Sequence, residues 1–381
     1  MSLIPFNSPE IAGEEMAYVQ EAMRSGHTSS GGPFSTRAGE ILQQATGADE
    51  VMLTTSCTTA LELSAMLLDL GPDDTVIVPS FTFTSSALAF ARQGAKILFC
   101  DIEPVTLGLD PDHLAELLDD TVRAVVVVHY AGIACDMDSI TRVLSDRPDV
   151  ALIEDAAHGL FGAHRDQPLG GFGRFASLSF HETKNFVCGE GGALLLNDPR
   201  DIERARILYD KGTDRQAFFA GHVDKYSWRD TGSSFGMSDV LAAYLLGQLE
   251  QATSIQTRRR EVFDRYAAAL AGRADELGLR LPVIPAPCAS AYHLFYVLLP
   301  DAGLRARVMA RMRELGVATT FHYVPLHDSQ GGRRFRARAT DCPVSSDVSA
   351  RLVRLPFFNT LTAEQSDQVT SALVTAVQEM S

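Results

Sequence analysis

The stretch SFHETKNFVCGEGG, residues 179–192, links two apolar runs, FASLSFH (175–181) and GGALLLND (191–198), with only a loop between them. Both runs read as strands. The loop holds one lysine, Lys184, between His181 and Cys188, and ends in a glycine-rich turn. Three chemistries compete for it: a phosphate cradle, a metal site on His181 and Cys188, or a covalent reaction of the lysine itself. The surrounding chain decides among them.

Upstream, short β-rich runs alternate with helical segments. EVMLTTS (50–56), DTVIVPS (74–80), AKILFCD (95–101), RAVVVVHY (123–130) and VALIEDAA (150–157) read as strands. TTALELSAMLLDLG (58–71), SSALAFARQG (85–94), PDHLAELL (111–118) and DMDSITRVLSD (136–146) read as the helices between them. Near-continuous apolar strands separated by helices require a mostly parallel sheet covered on both faces. From Ser238 the pattern turns helical through residue 272, and a proline-rich break then restarts strand character over 279–300. A helix over 301–316, a strand VATTFHY (317–323) and a C-terminal helix from Thr362 complete the chain. The expected fold is α/β, with a large domain over 1–250 that includes the N-terminal segment and a smaller α+β domain over 251–381.

The chain has 381 residues, 46% hydrophobic and 21% charged, which is ordinary for a folded globular protein. Its net charge of −15, with no basic stripe, argues against nucleic acid or an anionic membrane surface as partner. Six scattered cysteines without C-x-x-C spacing point to reduced thiols. The first twenty residues lack the basic and apolar regions of a secretion signal. Apolar runs such as AVVVV (124–128) fall far short of the ~20 residues that span a bilayer. A cytoplasmic protein is expected. Four of its 33 basic residues are lysine (Lys96, Lys184, Lys211, Lys225), so lysine chemistry has four candidates.

Three segments carry chemistry. TTSCTTALEL (54–63) is a strand, small hydroxyl residues, then a helix start, where unpaired N–H groups and the dipole favour an anion such as phosphate. Ser56, Cys57 and Thr58 lie there; a plain serine N-cap is the alternative reading. VALIEDAAHG (150–159) ends a strand with Glu154, Asp155 and His158, at the sheet edge where open α/β folds bind ligands. A carboxylate there suits a magnesium ion, general-base work, a protonated heterocycle, or a simple turn cap. Lys184 follows the next strand among Phe180, Phe186 and Val187, a setting in which an amine loses its charge readily and condenses with an aldehyde. A phosphate site, a strand-end aspartate and a lysine about thirty residues later form the parts of a pyridoxal 5′-phosphate (PLP) site. No metal is expected, because His181 and Cys188 stand seven residues apart with no second pair at zinc spacing. GEGG precedes a strand instead of opening a helix, so it is no dinucleotide fingerprint.

With TTSCTTALEL, VPSFTFTSSALAF, VHYAG, EDAAHG, SFHETKN, GEGGALL, FHYVPLH and RLPFFN in this order, the chain resembles the DegT-type nucleotide-sugar aminotransferases. These are a branch of the fold type I PLP enzymes. The resemblance implies that Lys184 forms the Schiff base and moves protons, that Asp155 pairs with the pyridine nitrogen, and that His158 lies by the ring hydroxyl. It implies Phe83 on the ring face and Ser56, Cys57, Thr58 and Ser179 on the phosphate. A partner-subunit asparagine common in the family is missing from Gly232-Ser233-Ser234-Phe235-Gly236-Met237, and Ser234 is the implied substitute. His181, Trp228, Arg229, Tyr323 and His327 are the implied substrate-side residues, and a homodimer with shared sites is implied. Residues 211–239 most resemble the branch that aminates TDP-4-keto-6-deoxyglucose at C4 with L-glutamate as donor. A C3-ketosugar or inositol-type aminotransferase, and a PLP-binding regulatory protein, stay open beside it.

Overall fold

The computed structural model of the protein describes residues 3–380. Seven strands make the central sheet: β1 Glu50–Thr54, β2 Thr75–Pro79, β3 Lys96–Cys100, β4 Val122–Val128, β5 Ala151–Asp155, β6 Phe175–Ser179 and β7 Gly192–Leu196. Their spatial order is β1-β7-β6-β5-β4-β2-β3. β2 pairs in parallel with β3 and β4, β4 with β5, and β5 with β6. β7 runs against both of its neighbours, β1 and β6. Residues 180–191 hold no helix that could carry a parallel crossover, so the chain returns antiparallel.

Alternate residues of each strand enter different cores. Val76, Val78, Ile97, Phe99 and Val126 pack with helices Cys57–Leu67 and Ser85–Arg92. Ile77, Leu98, Cys100, Val125 and Val127 pack with helices Pro111–Leu117 and Met137–Leu144. With both faces covered, the strands read as unbroken apolar runs. This topology also fixes where chemistry collects. The six parallel strands all end at one edge, and β7 begins there, since Gly192 pairs with both Thr54 and Ser179.

A second hydrophobic core is built by helices Ala252–Ala271, Arg305–Glu314 and Ala363–Met380 with the antiparallel strands β8 Tyr296–Leu298 and β9 Leu352–Arg354. Ile4 belongs to this core, held by Ile4 N–H to Gly316 C=O at 2.8 Å and Ala318 N–H to Ile4 C=O at 3.0 Å. A junction cluster joins Phe81, Ile102 and Tyr130 to Leu294, Tyr296 and Val348. We propose the domain division near residue 250 on this segregation, with Ile4 packing in the second body.

Two elements differ from the sequence pattern. The helical run from Ser238 is two helices, Asp239–Leu249 and Ala252–Ala271, parted where Gln251 N–H takes the tighter partner Gln248 C=O at 3.0 Å. The expected strand over 317–323 survives only as bridges at Val317 and Thr320. His322 and Tyr323 stack face to face with ring centres 3.8 Å apart, which successive residues of a regular strand cannot do. No helix among the described residues is long and apolar enough to cross a membrane.

Candidate active site

The strand ends surround a cleft of 480 Å³, within the range of small-molecule sites. After β1 comes Ser56, which caps helix Cys57–Leu67: its hydroxyl accepts from Thr59 N–H at 3.1 Å, and Thr59 Oγ1 accepts from Ser56 N–H at 3.0 Å. The cap therefore exists, and it occupies the Ser56 side chain. It leaves the N–H groups of Cys57 and Thr58 without intrahelical acceptors at the cleft wall. Gly192 lets this corner form, because a Cβ there would run into the backbone of Ser56 and Cys57.

Asp155, at the end of β5, is buried and lines the same cleft. It accepts from Ser86 Oγ at 2.6 Å and from Ala157 N–H at 3.2 Å, and Ser86 is in turn 2.9 Å from Thr82 Oγ1. Its neighbour Glu154 points to the opposite side of β5. There it accepts from the N–H groups of Gly170, Phe172 and Gly173 at 2.7 Å each and meets His129 Nε2 at 2.9 Å. Strand alternation thus splits the acidic pair into one structural and one cleft-facing carboxylate.

Lys184 stands in the cleft with its ammonium depressed to about 8. Burial is the main cause, Arg354 adds to it, and Cys57 and Asp155 oppose it. The Cys57 thiol, pushed up to about 12 by burial and by Asp155, stays protonated and is no nucleophile. His158 stacks on His293 at 4.0 Å, and its Nδ1 is buried without a partner. Burial, then the charge of Lys184, holds it well below the usual imidazole range. An open helix start, an orphaned ring nitrogen, a buried carboxylate and a poised amine in one cleft fit PLP.

The sequence profile of the DegT/DnrJ/EryC1/StrS aminotransferase family matches residues 9–374. The chain belongs to that family. The solved structure of the aminotransferase TlmJ from Streptoalloteichus hindustanus is 30% identical, superposes with a TM-score of 0.91, and is covered end to end, 100% of each chain. DesV from S. venezuelae, in complex with a ketimine intermediate, is 28% identical with a TM-score of 0.89 over 99% of each chain. The PLP form of the putative sugar aminotransferase Spr1654 from Streptococcus pneumoniae is 26% identical with a TM-score of 0.91 over 100% of each chain. The protein is a PLP-dependent aminotransferase of fold type I.

This DegT-family chain brings Ser56, Cys57, Thr58, Phe83, Asp155, His158, Ser179, His181, Lys184 and Tyr323 into one cleft. Phe83 is 60% exposed there, a large aromatic face left open. His181 leans on Thr183 Oγ1 at 3.0 Å, while Cys188 is buried in the core behind. His327 does not line the cleft; its Nδ1 meets Ser80 Oγ at 2.6 Å. Trp228, Arg229 and Ser234 also lie off this cleft, on an exposed segment. Trp228 is 82% exposed, Arg229 pairs with Asp214 at 3.4 Å, and Ser234 bridges to Asp210. Sequence reasoning missed Thr82, Ser85, His293, His322 and Arg354, which also line the cleft. Thr82 and Ser85 inside VPSFTFTSSALAF, His322 inside FHYVPLH and Arg354 at the head of RLPFFN carried a usable signal, whereas His293 lies in no quoted motif.

Proposed function

We propose that the protein moves the amino group of L-glutamate to C4 of TDP-4-keto-6-deoxy-D-glucose, giving a TDP-4-amino-4,6-dideoxyhexose, in the cytoplasm. The observation that carries the reaction is the Lys184 amine, held at about 8 in the same cleft as Asp155 and the open helix start. The choice of C4 rests on the likeness of residues 211–239 to that branch of the family.

In this reading the backbone at Ser56, Cys57 and Thr58, with Ser179, holds the PLP phosphate. Asp155 keeps a proton on the pyridine nitrogen, His158 faces the ring hydroxyl, and Phe83 covers the ring. When bound, PLP supplies an electron sink that acidifies the carbon next to the transferred nitrogen. Lys184 Nζ takes the α-proton of glutamate in the first half of the reaction and delivers a proton to the sugar carbon in the second. With an acid constant near 8, about a quarter of it is neutral at about pH 7.5, against ~0.1% for an ordinary lysine. The exposed segment with Trp228, Arg229 and Ser234 serves a second copy in a homodimer, where Ser234 reaches the partner's phosphate site.

The test is turnover of TDP-4-keto-6-deoxyglucose with glutamate and PLP, with the product carbon identified by NMR. Amination at C4 is expected, and Lys184→Ala is expected to abolish it. Turnover restricted to a 3-keto sugar selects the C3 reading. Full activity in Lys184→Ala removes the lysine mechanism.

A further inference from the structure

Hydrogen bonds from Ser86 and Ala157 orient Asp155, but the ring of His158 has no such support. Its Nδ1 is buried with no partner, and among the described residues no hydrogen bond reaches the ring. An imidazole that must meet a fixed atom needs its plane set by something else. Among the described residues, three aromatic rings border it. Tyr130 stands 5.9 Å away, tilted by 59°, and His322 is nearly parallel at 6.4 Å between ring centres. Of the three, His293 alone lies face to face at contact distance, with 4.0 Å between centres and 21° between planes.

His293, 3% exposed, is itself tied down on every side. Its N–H donates to Ala131 C=O at 3.1 Å, and its C=O accepts from Arg259 Nη2 at 2.5 Å. Its Nδ1 is 2.8 Å from Asn185 Oδ1. The amide nitrogen of Asn185 is spent on Ala291 C=O at 2.7 Å, so the amide oxygen faces His293, whose Nδ1 carries the hydrogen and donates. Burial, then the neighbouring His158, Lys184, Arg259 and Arg354, holds the His293 ring well below the usual imidazole range. Two neutral imidazoles can stack without repulsion. The backbone that delivers this ring is strained. Ala131 and Tyr292 have φ of 61° and 48°, a left-handed region uncommon for residues other than glycine. Next to Ala131, Gly132 admits the 290–293 segment, because a Cβ there would lie 2.9 Å from both Ala291 Cβ and His158 C=O. Arg259 Nε holds the strained turn through Tyr292 C=O at 2.9 Å.

We propose that His293 is a positioning residue of the cofactor site: its ring, stacked on His158, holds that imidazole in the plane from which it serves the ring oxygen of PLP. This rests on the reading above, in which His158 faces the ring hydroxyl. Asn185 follows Lys184 in the chain and binds the same His293 ring, so the stack and the amine keep one frame.

The experiment is a pH titration of the absorbance of bound PLP in wild type, His293→Ala, His293→Phe and His158→Phe, with PLP affinity and thermal melting measured alongside. Bound PLP titrates at the nitrogen it shares with Lys184, and its ring oxygen carries more negative charge once that proton has left. A donor at the ring oxygen therefore favours the deprotonated form, and loosening the donor raises the midpoint. His293→Ala removes the stack and is expected to raise the midpoint by about 0.5–1 pH unit, a fraction of a charge-assisted hydrogen bond. His293→Phe keeps a flat ring against His158 without the Asn185 bond and should restore most of the wild-type midpoint. A packing role alone would lower melting temperature and leave the midpoint in place. His158→Phe removes the donor itself and should raise the midpoint at least as far as His293→Ala. If His158→Phe shifts the midpoint but His293→Ala does not, or if His293→Phe shifts it as far as His293→Ala, the proposal is overturned while the placement of His158 stands. An unmoved midpoint in His158→Phe rejects that placement, and the proposal with it. If melting shows that His293→Ala does not fold, His293→Leu, which refills the volume without a ring, takes its place under the same outcomes.

Discussion

Replacing Lys184 with methionine should stabilise the cofactor-free protein at neutral pH and destroy its activity. Methionine fills a similar length without a charge. In the unfolded chain the lysine keeps its proton to about pH 10.4; in the folded chain it gives it up near 8, chiefly because burial disfavours the ammonium. Between those values the unfolded chain binds more protons, so stability rises with pH across the window. Below about 8 both states are protonated and the fold carries the full cost. A drop from 10.5 to about 8 corresponds to about 3 kcal/mol. The cleft is partly open to water, and the substitution also takes from Asp155 a favourable cation, leaving it Ser86 and Ala157. Both effects reduce the gain, to an expected 1–3 kcal/mol, on the order of a large single-site effect. Urea unfolding of cofactor-free wild type and Lys184→Met, followed by circular dichroism from about pH 7 to about pH 10, reads the difference directly. The variant's advantage should shrink as pH rises and vanish above about 10. A variant that is less stable at neutral pH, or an advantage indifferent to pH, would show that Lys184 is not held in a strained charge state.

Two other substitutions probe the frame around that amine. Ser86→Ala removes the 2.6 Å hydrogen bond to Asp155 and should lower unfolding stability by about 1–3 kcal/mol in urea melts; a stability equal to wild type would show that Ser86 does not support the carboxylate. Gly192→Ala pushes a methyl into the backbone of Ser56 and Cys57, so PLP affinity by absorbance titration should fall by about tenfold or more, with about 1–3 kcal/mol lost in stability; unaltered PLP binding would mean that the helix start does not hold the phosphate.

The sheet was legible because its strands are covered on both faces, which leaves apolar runs such as AVVVV that no polar alternation interrupts. The cleft half built from strand ends was legible for the same reason. Once the strands ending at Thr54, Asp155 and Ser179 are recognised as parallel, Ser56, Asp155 and Lys184 must share an edge. Trp228 shows the limit of reading by resemblance: it was implied on the substrate side, yet in the single chain it is 82% exposed and lies off the cleft. Arg354 shows the converse. It heads the quoted RLPFFN run, yet among 29 arginines its residue type alone did not single it out as a cleft residue. Its environment comes from β9 itself, from His322 32 residues earlier and from Phe6 near the start of the chain. His293, His322, Tyr323 and Arg354 all follow residue 250 and line the cleft beside the strand ends. The two halves differ physically. One is set by strand direction, which periodicity encodes, whereas the other is set by segments after residue 250 that pack across the strand ends, which periodicity does not encode.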